Sequence, residues 1–326
     1  MNSGRVVYMN GKFVTESDAK ISIFDSALMF GDMVFEMTRS FNKVQFKLKE
    51  HLERLYLGMK ILRIPLPMSI EKMEQACYET INQNDKVFES QDEHRLVINV
   101  SRGPLGIYAS VFDGVIEPTV VIADFPLKWT VASMAPLFEE GINAVIPSQR
   151  AIPANLLDPK IKNRSRIHYQ MANIEVSQCA GENNWALMLD PDGLIAEGTG
   201  DNFFIVRNGE ILTPEGRNIL RGISRDYIFE VAEQLKIPCR ECNIEPYDVY
   251  KADEAFITAT PFCILPTVSL QSITIGDGKM GVVTRALLNQ WSKNVGVDIR
   301  KQIEGYSTEV KELNSDAPTP YAFKRK

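Results

Sequence analysis

Residues 193–206 read G-L-I-A-E-G-T-G-D-N-F-F-I-V, and this stretch decides how the chain is understood. It places one carboxylate, Glu197, inside an apolar run suited to strands, with turn signals at Asp192-Gly193 on one side and Asn208-Gly209 on the other. Gly198 and Gly200 let another group approach the backbone closely. A carboxylate in that setting needs a cationic or N–H partner. The alternative is a strand-end residue facing solvent.

Working outward, the elements mix strands and helices without a βαβ rhythm, which predicts an α+β chain. Val6–Tyr8 and Phe13-Val14 flank an Asn10-Gly11 turn and predict a hairpin. Strand-like sequence follows at Lys20–Phe24 and Met33–Phe46, then helical period over 47–64 and 69–83. Arg95–Ser101 and 119–124 read as strands, and Phe125–Ser133, with Pro126 and Trp129, as a connector. Beyond it the pattern predicts a strand at Ile142–Ile146, a helix over 166–180, and a helix from Gly222 to Lys236. A strand at Glu254–Thr258, a turn at Gly276–Gly278, a helix over Met280–Lys293 and a loosely held tail complete the reading.

The chain has 326 residues, enough for about two domains. Its net charge of −6 argues against broad nucleic-acid binding. No apolar run reaches the 18 or so residues of a membrane span, and the N-terminus lacks a signal peptide's apolar core. The expectation is a cytoplasmic protein with no membrane or nucleic-acid partner. Five scattered cysteines fit reduced thiols, and the single Cys239-x-x-Cys242 lacks the second pair a structural zinc site needs, so no metal is expected. With three histidines and no H-x-x-x-H, G-x-S-x-G, P-loop or G-x-G-x-x-G, zinc hydrolysis, serine hydrolysis and nucleotide binding find no support.

Four further places carry chemistry. On the helix over 47–64, Leu48, Leu52, Leu55, Met59 and Leu62 form one apolar stripe, and Arg54 projects beside a second patch of Leu57, Ile61 and Ile64. It either pairs with an anion or makes an ordinary contact with Glu50 one turn back. Lys160-Ile-Lys162-Asn-Arg164-Ser-Arg166 puts four cations in seven residues. That is a solvated basic loop, or a place where crowding lowers a lysine's pKa and frees a nucleophilic amine. Leu220-Arg-Gly-Ile-Ser-Arg-Asp226 opens a helix, with N–H groups suited to phosphate or simply an N-cap at Ser224. Thr258-Ala-Thr-Pro261 adds hydroxyl and N–H donors at a strand end.

In this order, the pieces N-G-K-F-V, F-D-S-A-L-M-F-G-D-M-V-F-E, E-H-L-E-R-L, D-P-K-I-K-N, E-G-T-G-D-N-F-F, G-I-S-R-D and I-T-A-T-P resemble one family closely, from about Val7 to Ile299. It is the class IV, fold type IV, pyridoxal-phosphate enzymes, and the likeness is most to branched-chain aminotransferases. The resemblance implies a small N-terminal α/β domain (1–124), a connector (125–134), a larger C-terminal pseudo-barrel domain that binds the cofactor (135–304) and a tail (305–326). It implies pyridoxal 5′-phosphate as cofactor, a homodimer, and transfer of an amino group from an amino acid to a 2-oxo acid. Residue by residue, Lys162 resembles the Schiff-base lysine, with Lys160 the second choice. Glu197 resembles the carboxylate facing the pyridine nitrogen, and Arg54 the arginine on the cofactor phosphate. Ile223, Ser224 and Thr260 match phosphate-holding positions.

The sequence also departs from the branched-chain pattern. The tyrosine expected five residues after the lysine is replaced by Ile167, with Tyr169 two residues further on, and Met37 stands where glycine is usual. Val100-Ser-Arg-Gly103 is closer to the lyase or D-amino acid branch, while Glu36 argues against the lyase. The alternatives are therefore a D-amino acid or (R)-amine transaminase and an aminodeoxychorismate lyase-type enzyme. Phe30, Arg39, Arg102, Tyr108 and Ala259 are the substrate-contact candidates.

Overall fold

A computed structural model describes residues 4–309, which divide into two units: one of residues up to Leu127 together with Ile161–Arg166, and one of Lys128–Lys160 with the chain from Ile167 onward.

In the first unit, β1 (Val6–Met9) and β2 (Lys12–Thr15) form the expected hairpin, with Asn10 and Gly11 both at positive φ as its turn requires. A short helix α1 (Ser26–Phe30) leads to β3 (Met33–Met37) and a small ribbon of β4 (Ser40–Phe41) and β5 (Val44–Gln45). Helices α2 (Leu48–Leu62) and α3 (Ile70–Asn84) precede β6 (His94–Ser101) and β7 (Thr119–Pro126). The sheet is antiparallel throughout, in the order β2-β1-β7-β6-β3. Leu48, Leu52, Leu55 and Met59 from α2 and Met73, Ala76 and Cys77 from α3 pack on Val34, Leu96, Ile98 and Ile122 of the sheet. Full burial of a leucine contributes about 1.5–3 kcal/mol, so this stripe holds α2 to the sheet. At Gly58 a Cβ would lie 3.0 Å from Val34 Cγ1, so glycine sets how closely α2 approaches β3.

No strand forms at Lys20–Phe24. Asp25 instead caps α1 through Ala27 N at 2.8 Å, and Ile21 and Ile23 stay exposed. The Phe125–Ser133 stretch finishes β7 and then turns into α4 (Lys128–Val131), the start of the second unit.

That unit continues with α5 (Leu137–Glu140), β8 (Ile142–Val145), α6 (Ile167–Val176), β9 (Asn184–Leu189), β10 (Ile195–Gly198), β11 (Asn202–Arg207) and β12 (Glu210–Pro214). It ends with α7 (Ile223–Leu235), β13 (Cys239–Cys242), α8 (Pro246–Tyr250), β14 (Glu254–Ala259), β15 (Cys263–Leu270), β16 (Ile273–Thr274), α9 (Val282–Val295) and α10 (Ile299–Glu309). The path β10-β9-β8-β15-β14-β11 closes on itself because β10 also pairs with β11, and this ring is the pseudo-barrel. Its connections include parallel pairs, β8 with both β9 and β15, that no hairpin signal encodes.

Several elements lie outside the sequence reading: β15 and α10, the longest among them, with α1, α5, β13, α8 and β16. Strand β15 follows a tight turn after β14, and its first residue, Cys263, takes φ +65, a conformation unusual for a non-glycine residue. Helix α10 buries Ile299, Ile303 and Tyr306 and includes residues 305–309 of the expected tail. The rest of that tail is outside the described residues. Cys239 and Cys242 lie on β13, and all five cysteines are free.

Candidate active site

Glu36 points from β3 toward α2 and is fully buried. His51 and Arg54, one helical turn apart on α2, both reach it: Arg54 donates from Nε at 2.6 Å and Nη2 at 2.8 Å, and His51 Nδ1 lies 2.7 Å from Oε2. Burial alone would raise the Glu36 pKa. The charge of Arg54 and the contacts with His51 outweigh it and hold the carboxyl well below the usual carboxylate range. Burial lowers the His51 pKa against the pull of Glu36, and the charges of Arg54 and Lys162 act in the same direction as burial. The carboxylate can only accept, so a neutral His51 carries its proton on Nδ1 and donates it. Arg54 therefore pairs with Glu36 rather than with Glu50, whose partner is Lys47.

The basic stretch is no solvated loop. Ile161–Arg166 belongs to the first unit: Asn163 bridges Val34, and Phe35 N donates to Lys162 O at 2.9 Å. Gly31, in the left-handed region at φ +67, lets the segment pass, since a Cβ there would sit 2.6 Å from Ser165 Oγ. Lys162 is half-buried, with Nζ 5.0 Å from the Phe35 ring centroid. Arg164 stacks on the same ring at 3.6 Å. Lys160 differs: its ammonium pairs with Asp158 at 2.8 Å and donates to Arg217 O at 3.0 Å.

In the second unit, Glu197 on β10 is 5% exposed. Oε1 accepts from Tyr169 Oη, and Oε2 from Asn202 Nδ2 and Leu220 N, each at 3.0 Å. The solvent-facing reading of Glu197 is thus replaced by a buried, donor-lined one. Glu197 lies directly opposite Asn202 in the β10–β11 pair, and Asn202 lies opposite Thr258 of β14, so three neighbouring strands bring these side chains together. Asn202 also donates to Leu220 O at 2.9 Å. A Cβ on Gly222 would lie 2.1 Å from Asn202 Oδ1. The N-terminus of α7 is thereby packed against the residue that holds Glu197.

Gly222, not Ser224, is the N-cap of α7, and it offers no side-chain cap. The first-turn N–H groups of this thirteen-residue helix keep the positive end of its dipole for an anion. Ile223 is half-buried and Ser224 buried at that end. Thr258 Oγ1 is buried without a hydrogen-bond partner, beside the half-buried Ala259 and Thr260 at the end of β14.

The substrate-contact candidates have varied surroundings. Arg102 donates to both carboxylate oxygens of Asp32, at 2.6 and 3.3 Å, and to Arg63 O and Leu62 O. Tyr108 stacks on Phe24 with centroids 4.5 Å apart, and Phe30, at the end of α1, is 66% exposed. Arg39 is fully buried over the Phe41 ring. The sequence reading singled out neither Asn202 nor Arg95. Asn202 was recoverable from hairpin register, because a turn at Gly198–Asp201 sets it opposite Glu197.

Residues 33–270 match the family model described as amino-transferase class IV. The chain is 37% identical over 284 residues to a Methanocaldococcus jannaschii protein that carries a provisional branched-chain-amino-acid aminotransferase name, covering 86% of this chain and 93% of that one. It is 31% identical over 293 residues to the branched-chain-amino-acid aminotransferase of Escherichia coli K12, covering 86% and 90%. Among solved structures, the branched-chain amino acid aminotransferase from Thermobaculum terrenum, in its PLP-bound holo-form, superimposes with a TM-score of 0.77 at 25% identity, over 94% of this chain and 98% of that one.

Proposed function

We infer the function from one premise: this chain belongs to the class IV aminotransferase family and has the fold type IV architecture. It is a pyridoxal 5′-phosphate-dependent transaminase that moves an amino group from an amino acid, of the branched-chain kind, to a 2-oxo acid. The branched-chain names of its relatives favour this reading over the D-amino acid, (R)-amine and lyase alternatives.

The observation that carries the site assignment is the tie between Glu197 and the start of α7 through Asn202. A buried carboxylate suits a protonated ring nitrogen, and an uncapped helix N-terminus suits a phosphate. The orphan hydroxyl of Thr258 is a further polar group with which a ligand would pair. The residues present therefore fit the cofactor.

When bound, pyridoxal 5′-phosphate supplies an electron-accepting ring and an aldehyde carbon that carries the amino group between substrates. Lys162 would hold it by Nζ, and Glu197 would hold a proton at the ring nitrogen. Arg54, Ile223, Ser224 and Thr260 would hold the phosphate. Tyr169 and Asn202 orient the Glu197 carboxylate, and Glu36 orients Arg54. With the cofactor bound, Lys162 Nζ would be the base that takes the proton from the donor α-carbon and the acid that delivers it to the carbon that carries the amino group.

The surface of the first unit supports a homodimer. Ile23, Leu28, Phe30, Ile107 and Val111 are each more than half exposed, and Phe24 joins their two segments by contacts with Tyr108 and Phe112. Contiguous apolar surface of this sort marks an interaction site. Sedimentation at micromolar concentration tests it, a monomer being the contrary result. The five free cysteines support a reducing, cytoplasmic location.

The deciding experiment is an absorbance spectrum of purified protein before and after separate additions of L-leucine, D-alanine, (R)-1-phenylethylamine and aminodeoxychorismate. Loss of the yellow band with L-leucine supports the proposal, and so does a colourless, inactive Lys162→Ala variant. Normal turnover by Lys162→Ala sinks the assignment of the lysine.

A further inference from the structure

The segment Ile161–Arg166 runs beside β3, the last strand of its sheet. Asn163 bridges Val34, and Phe35 N donates to Lys162 O at 2.9 Å, so Lys162 stands opposite Phe35. Val34 and Ile161 pack with the α2 core, which puts Phe35 and Lys162 on the other face. Arg164, two residues on, shares that face. The side chains follow the register: Arg164 Cζ lies 3.6 Å from the Phe35 ring centroid, Lys162 Nζ 5.0 Å and Arg166 Cζ 5.7 Å. A ring attracts each cation through its negative face, and so gathers charges that repel one another. Arg164 Nη2 also donates to Asn99 Oδ1 at 3.1 Å, a neutral acceptor that orients the guanidinium without cancelling its charge. The stretch from Lys162 to Tyr169 is two residues longer than the branched-chain pattern, and it carries both arginines. Among β3, β6 and β7, the other charged side chain on this face is Arg95, with Arg39 near it, and no position there is Asp or Glu. On the opposite face of β3, Arg54 matches the charge of Glu36, and His51 is held neutral.

We propose that Arg164 is a positioning residue for Lys162: its charge, held on the ring that Lys162 overlies, disfavours a proton on Nζ and keeps the amine in the form that attacks a carbonyl. The inference rests on Lys162 being the reactive lysine of the proposed transaminase. An arginine keeps its own proton throughout the working pH range, so the lysine is the member of the pair that yields. Partial burial of Lys162 acts in the same direction as the neighbouring charge. Two residues of extended chain span about 7 Å. At that range, with screening between that of water and that of a protein surface, the repulsion is worth roughly 0.5–1.5 pH units at Nζ.

The test is a pH titration of the holoenzyme's absorbance, because the proton on the Lys162 nitrogen sets the position of the yellow band. Wild type is compared with Arg164→Gln, Arg164→Lys and Arg166→Gln. Arg164→Gln should raise the midpoint by about 0.5–1.5 pH units, with cofactor content and Tm unchanged. Arg164→Lys keeps the charge and should stay closer to wild type. Arg166→Gln, which removes the cation farther from the ring, should shift the midpoint less. Added salt should raise the wild-type midpoint toward that of Arg164→Gln and move the variant less. An unchanged midpoint in Arg164→Gln overturns the proposal. Equal shifts in Arg164→Gln and Arg164→Lys also overturn it, since they make the effect one of ring packing rather than charge. A larger shift in Arg166→Gln moves the role to that residue and overturns the assignment to Arg164. If the protein stays colourless with pyridoxal 5′-phosphate, the transaminase reading fails, and the amine itself is titrated by NMR after reductive methylation with isotope-labelled formaldehyde. Lys162→Arg assigns the signal. A midpoint that rises there in Arg164→Gln supports the coupling of the two charges, and one that stays in place refutes it.

Discussion

Tyr169 donates its phenol proton to Glu197 Oε1 at 3.0 Å, from a helix to a strand 28 residues further along the chain. Seven residues beyond Lys162 rather than five, this tyrosine serves the carboxylate proposed to face the cofactor ring. Both partners are buried, and a hydrogen bond to an ionised group is worth about 1.5–3 kcal/mol. Tyr169→Phe should therefore lower kcat about 10-fold or more, with a smaller fall in Tm, by loosening Glu197. Steady-state kinetics with thermal melts check it, and an unchanged kcat would show that Asn202 and Leu220 N suffice.

The Glu36–Arg54 pair predicts a pH signature. The Glu36 pKa is lowered on folding, so its contribution to stability is present above the unfolded carboxylate range and is lost as pH falls toward the folded value. Glu36→Gln, which leaves Arg54 without its counter-charge, should cost about 3–5 kcal/mol at neutral pH in urea denaturation. The gap between wild type and variant should stay constant above about pH 5 and narrow in acid. A gap that persists unchanged to pH 3 would contradict the ion-pair account.

Asp201 predicts a slope of the opposite sign. Burial, then the charge of Glu197, raise its pKa to about 8, against a lowering contact with the Gly200 backbone. Its carboxyl lies against Gly198, where a Cβ would come within 2.3 Å. The folded chain binds a proton that the unfolded chain releases near the ordinary aspartate value of about 3.9. Stability thus falls as pH rises between these values and levels off above about 8. Asp201→Asn should flatten that slope, as melts across the window would show. Parallel curves for the two proteins would refute it.

Gly222→Ala should harm the site through space rather than backbone strain, because φ is an ordinary −70°. The new methyl would meet Asn202 Oδ1 at 2.1 Å and displace the side chain that links Glu197 to Leu220. A loss of about 1–3 kcal/mol is expected, with weaker pyridoxal 5′-phosphate binding in fluorescence titration. Gly305→Ala, on α10 with no atom near the added methyl, is the control and should stabilise by about 0.5–1 kcal/mol. Equal behaviour of the two variants would remove the packing argument.

Much of the fold was legible because helix and strand patterns are local. The leucine stripe of α2 repeats within one turn, and the Asn10-Gly11 turn needs only its own two residues. Strand β15 escaped this reading because its pairing with β8 joins residues more than 120 positions apart, and sequence near either strand carries no mark of that register. The ordered motifs were enough to indicate the family, since backbone requirements around Lys162, Glu197 and Gly222 restrict which residues can stand there.

Partner choice was decided only by the tertiary structure. Helix spacing offered Glu50 to Arg54, and the sheet supplied Glu36 instead, because a buried carboxylate on β3 gains far more from a guanidinium than an exposed one does. The sequence by itself determined the family and those elements whose pattern is local, such as α2 and the β1–β2 hairpin. The long-range register of the sheets decided that Tyr169 meets Glu197, that Asn202 joins it to α7, and that Arg95 is buried with two donors unpaired. Periodicity is set by neighbours a few residues away, whereas hydrogen-bond and charge partners are set by which distant strands come to lie side by side.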